Sequence, residues 1–73
     1  HLHHAYYAVG AAHAVLGNRA EALQWLEKAA NEGYPSYPHF AKDADLAALA
    51  GEPRFVALLH RLETDWRRFR DTL

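Results

Sequence analysis

Two adjacent residues, Gly17 and Asn18, constrain the fold of this chain more than any others. They sit between two helix-length apolar patterns, His3 to Leu16 and Arg19 to Gly33. Gly17 falls where a first helix should stop, at the position where a left-handed backbone costs least. Asn18 is a natural N-cap, and Glu21, three residues on, completes a capping-box spacing. A stop and a start in neighbouring residues leave almost no loop, so the two helices must fold back as an antiparallel hairpin. Gly33 then ends the second helix, and Pro35 prevents its continuation.

The apolar spacing agrees. Leu2, Tyr6, Val9, His13 and Leu16 recur at steps of four and three, one helical stripe, and are expected to face the core. Ala22, Leu23, Leu26, Ala29 and Ala30 form the matching stripe on the second helix. Gly10, Ala22 and Ala29 are small where two backbones would approach. A mid-helix glycine costs roughly 1 kcal/mol against alanine, so Gly10 points to tight helix-helix contact.

Tyr6, Val9, Gly10, His13, Gly17, Ala22, Leu26 and Ala29 fall without a gap on the signature spacing of the tetratricopeptide repeat, and over about half of its length the chain resembles that family. His13 stands where the family usually has an aromatic residue, and the usual closing proline is displaced to Pro35. Asp45-Leu46-Ala47-Ala48-Leu49 with Pro53-Arg54-Phe55 is similar to the segment that closes many bacterial arrays of this repeat. The resemblance implies that His4, Tyr7, Ala11 and Ala14 face a concave groove able to take a protein or peptide partner. Family members that hold carboxylates place Lys and Asn where this chain has Tyr7 and Ala11, so that particular activity is not expected.

Size limits what one hairpin can do. The chain has 73 residues, 51% of them hydrophobic and 23% charged, which suits one small globular domain. It has no cysteine, so no disulfide supports it. Repeats of this kind usually need about three copies to bury their faces, and one complete copy is present. The second half of the chain, 36–73, must therefore cover the helix pair of 2–35, or another subunit or the rest of a longer parent chain must do so. The chain opens on His1 rather than methionine and reads as a piece of something longer, so a missing targeting segment carries little meaning.

In that second half, Ser36 can cap a short helix running to Lys42, with Pro38 tolerated in its first turn. Asp43 or Asp45 can cap a further turn to Ala50, and Gly51 ends it. Pro53 occupies the first position of a last helix, and Glu52 adds negative charge at its start. There Phe55, Leu59, Leu62, Trp66, Phe69 and Leu73 recur at four and three, with Leu58 widening the stripe. Fully burying each large side chain is worth roughly 1.5–3 kcal/mol. This amphipathic helix is expected to lie as a lid on the second helix around Leu23, Trp25 and Leu26, its Arg61, Glu63, Thr64, Arg67, Arg68 and Arg70 facing water.

Sharper chemistry finds less support. His1, His3 and His4 lack the three or four convergent ligands a metal needs, and His13 lies about 13 Å from His4 along the helix; no metal and no cofactor is expected. His39 with Asp43 could form an acid–base pair, but nothing nearby resembles a nucleophile or an oxyanion donor pair. Arg67, Arg68 and Arg70 are diluted by Glu63, Asp65 and Asp71, and the net charge is −1, which argues against nucleic acid. No apolar run reaches the ~20 residues of a membrane span. The compartment is left open, with the cytoplasm slightly favoured.

The expectation is an all-α domain: a tetratricopeptide-like hairpin, short helices and a capping C-terminal helix. Its expected role is non-catalytic protein–protein interaction as the closing module of a larger bacterial protein, through His4, Tyr7, Ala11 and Ala14. The alternative is a structural end cap whose first helix mediates homodimer formation. A third, more distant, is a regulatory segment attached to an enzyme or transcription factor.

Overall fold

The structure, a computed structural model, describes residues 2–33 and 37–72. Helices α1 (Leu2–Val15) and α2 (Arg19–Asn31) are followed by the short α3 (Tyr37–Lys42), a 3₁₀ segment (Ala44–Leu49) and the long α4 (Pro53–Asp71). The fold is all-α, and the described residues contain no strand. The expected cap at Ser36 and the bend at Tyr34-Pro35 lie outside the described residues, as does Leu73.

The α1–α2 connection forms as the glycine demands. Gly17 takes φ 84°, its N–H donates to the Ala14 carbonyl at 3.1 Å, and the Asn18 N–H donates to the His13 carbonyl at 2.9 Å. These two bonds are the Schellman closure of a helix C-terminus. The capping box does not form. Asn18 makes no side-chain bond to the start of α2; its Nδ2 is instead hydrogen-bonded to His13 Nδ1 at 3.2 Å. His13 and Asn18 are the two residues whose side chains meet across a Schellman turn, so the amide is drawn back to α1 before it can serve α2. Gly33 repeats the left-handed stop at the end of α2, with φ 97°.

The two helices approach closely at Gly10. A Cβ there would lie 2.8 Å from Leu26 Cγ and 3.2 Å from the Ala22 carbonyl oxygen. Leu26, Ala22 and Ala29 are fully buried beneath it.

The buried face of α1 differs from the stripe expected of it. Tyr7, Gly10, Ala11 and Ala14 are buried, whereas Leu2, Val9 and Leu16 are exposed and Tyr6 and His13 only half-buried. The reason lies in α1 itself: LHHAYYAVGAAHAV is apolar nearly all the way round, so its periodicity cannot choose a side. The 3₁₀ segment chooses, because Leu46 and Leu49 are completely buried where that segment packs against α1. Tyr6 goes to the other boundary, its ring 5.7 Å from that of Trp25 and 4.9 Å from Lys28 Nζ.

Pro53 opens α4 as expected, with Glu52 as N-cap in extended backbone. Phe55, Leu58 and Leu62 are buried and Leu59 packs beside them, but Trp66 is only half-buried and Phe69 is exposed. A helix of 19 residues spans about 28 Å, longer than the core beneath it, so its last turns overshoot. The helix lies on both α3 and α2. Where it meets α2, Arg54 grips Glu27 with contacts of 2.7 and 3.3 Å.

Candidate functional site

The residues assigned to a groove by sequence separate in the structure. His4 is exposed, while Tyr7, Ala11 and Ala14 belong to the hydrophobic core. The side of α1 that was to be an open groove is covered by the chain's own α3 and 3₁₀ segment.

Asp43 organises that cover. Its Oδ1 accepts the Asp45 N–H at 2.9 Å, which caps the 3₁₀ segment and decides between the two candidate caps. Its Oδ2 accepts the Tyr7 hydroxyl at 2.6 Å, tying that cap to α1 across 36 residues of sequence. His39 Nε2 stands 3.6 Å from the same oxygen, and its ring lies against Tyr7 with centroids 4.6 Å apart. Phe40 closes the cluster edge-on to Tyr7 at 4.9 Å. The Tyr7 hydrogen bond lowers the Asp43 pKa against the opposing effect of burial, helped by the Asp45 N–H and by His39. Phenol, carboxylate and imidazole are thus engaged in holding one element onto another. Sequence reasoning paired His39 with Asp43 but missed Tyr7, because no local pattern reports a contact over that separation.

A shallow cleft of about 350 Å³ lies between α2 and α4, lined by Glu27, Asn31, Arg54, Ala57, Leu58 and Arg61. Its Arg54 is already paired with Glu27. At the end of α4, Arg67 is held by Glu63 at 2.7 Å and Arg70 lies 3.8 Å from Asp71, so these guanidiniums are balanced locally. Among the described residues no three His, Cys, Asp or Glu side chains gather in a way that could hold a metal, and no helix is long and apolar enough to cross a membrane.

The outer face of α1 is what remains. Leu2 is 63% exposed, Val9 38%, Val15 65% and Leu16 74%, and Ala5, Ala8 and Ala12 are exposed among them. Leu16 continues the helical spiral through its N–H bond to the Ala12 carbonyl at 3.1 Å. No Asp, Glu, Lys or Arg occurs anywhere in α1; His4 stands at the edge of the exposed face. Single exposed apolar residues are ordinary, but an uninterrupted apolar helix face is the usual mark of an interaction surface. Three of these residues, Leu2, Val9 and Leu16, belong to the stripe expected to face the core. A helix apolar on every side could have flagged the second face.

No family model, curated protein or solved structure matches the chain.

Proposed function

We propose that this domain is a non-catalytic protein-binding module of the tetratricopeptide type, and that it binds through the outer face of α1. The observation that carries the reading is the exposed, uncharged surface of Leu2, Ala5, Val9, Ala12 and Leu16. Leaving such a surface in water forgoes roughly 25 cal/mol for each Å² of apolar area that a partner could cover. The spacing of Tyr6, Val9, Gly10, His13, Gly17, Ala22, Leu26 and Ala29 supports the family likeness. The contact surface in this reading is the opposite side of α1 from the groove the resemblance implies, since Tyr7, Ala11 and Ala14 are engaged internally.

Selection from a displayed peptide library against the immobilised domain tests this. Amphipathic peptides with an apolar helical face should be recovered, and a Leu16→Glu domain, altered at a highly exposed position, should lose them. Recovery of the same peptides by both domains, or of none by either, would refute the proposal.

A further inference from the structure

Resting on the reading of α1's outer face as a contact surface, we infer that its partner is a second copy of this chain, packed antiparallel about a two-fold axis at Val9. One stripe on that face runs Leu2, Ala5, Val9, Ala12, Leu16, at steps of three, four, three and four. Read in residue types it is a palindrome: Leu, Ala, Val, Ala, Leu. A symmetric dimer contact needs a surface that complements itself, residue i meeting j while j meets i. Turning one α1 end for end over another sets Leu2 beside the partner's Leu16, Ala5 beside the partner's Ala12, and Val9 against the partner's Val9. Large side chains flank each end, small ones let the backbones approach, and the axis falls on a residue of middle size.

Charge selects the same partner. The exposed parts of α2 carry Arg19, Glu21 and Lys28, and those of α4 carry Arg54, Arg61, Arg67, Arg68 and Arg70. Setting any of these against the outer face of α1 would strip water from ions and return no counter-charge. The outer face of α1 carries no Asp, Glu, Lys or Arg, so pairing it with a second copy of itself avoids that cost. The contact is limited in size. Fifteen residues of helix make a strip about 22 Å long and about 10 Å wide, about 220 Å² on each copy and about 440 Å² in total, which is below the usual size of a stable specific interface. A contact this small gives a weak dimer in exchange with monomer, because little is left over after the cost of association.

Sedimentation equilibrium from about 1 µM to about 1 mM should follow the apparent mass from 8.3 kDa toward twice that value. Val9→Arg sets two like charges against each other on the axis and should weaken association at least about tenfold, with unchanged helical circular dichroism. The absence of native cysteine allows a second probe. On mild oxidation Val9→Cys should give a disulfide-linked dimer, because only an axial residue meets its own counterpart, whereas Ala20→Cys, exposed on α2, should not. A wild-type chain that stays monomeric throughout would overturn the inference, as would cross-linking of Ala20→Cys as readily as Val9→Cys. A monomer whose peptide selection still depends on Leu16 would overturn the self-association alone and leave the binding reading standing.

Discussion

Gly10→Ala tests a close contact between α1 and α2, and two opposing effects can be weighed in advance. In an unpacked helix the substitution would stabilise by roughly 1 kcal/mol, through propensity alone. Here the new methyl would lie 2.8 and 2.9 Å from Leu26 Cγ and Cδ2, and 3.2 Å from a backbone oxygen of Ala22. Carbon atoms prefer about 3.5–4.0 Å, so something must give by most of an ångström. Leu26 has no free space to retreat into, being completely buried, and the Ala22 carbonyl belongs to a helix. The helices must part instead, and overpacking of this kind costs about 1–3 kcal/mol. The clash wins, and the expected net loss is about 1 kcal/mol, or a fall in Tm of about 4–8 °C for a domain this small. Gly51→Ala is the control, since a Cβ there meets nothing within 4 Å; it should be neutral or stabilising by up to about 1 kcal/mol. Thermal and urea unfolding followed by circular dichroism reads both. If Gly10→Ala proves more stable than wild type by about the propensity gain, α1 and α2 do not meet closely at Gly10 and the packing derived for the hairpin is wrong.

Tyr7→Phe should cost about 1.5–3 kcal/mol at neutral pH, the range for a hydrogen bond to a charged group. Because the folded-state pKa of Asp43 is lowered, its contribution is present above the unfolded value and is lost as pH falls below about 4; acid unfolding of Tyr7→Phe should therefore depend less steeply on pH in that window, and an unchanged profile would show that the Tyr7–Asp43 bond is not the cause. Along α4, Leu62→Ala should cost about 2–5 kcal/mol, while Phe69→Ala, on the overshooting turns, should change stability by less than about 0.5 kcal/mol; equal losses at the two positions would mean that the helix end is covered. At the hairpin turn, Gly17→Ala should cost about 1–2 kcal/mol for its left-handed backbone, and Asn18→Ala less than the ~1 kcal/mol of a working N-cap; urea midpoints in the reverse order would contradict the turn described.

Most of the secondary structure was legible because its signals are local. Gly17, Gly33 and Pro53 each act through their own backbone angles, and the structure finds them at the two left-handed stops and at the start of α4. Gly10, Ala22 and Ala29 likewise announced a close hairpin by size alone, and all are buried. Asn18 misled because two local partners competed for one amide, and the turn geometry favoured His13 over the start of α2. The candidate site was legible only as far as the helix that carries it: α1 was identified, but three of its four groove residues lie in the core.

The order and ends of the helices, and the hairpin that joins the first two, were set by the amino-acid sequence itself, since a glycine or a proline needs no distant neighbour to act. Which side of α1 is dry was decided only in three dimensions. A helix apolar around nearly its whole circumference does not fix its own orientation, and the choice fell to Leu46, Leu49 and Asp43, about thirty residues or more away, which had to find α1 in space. The outer face of α1 was left in water by that same choice.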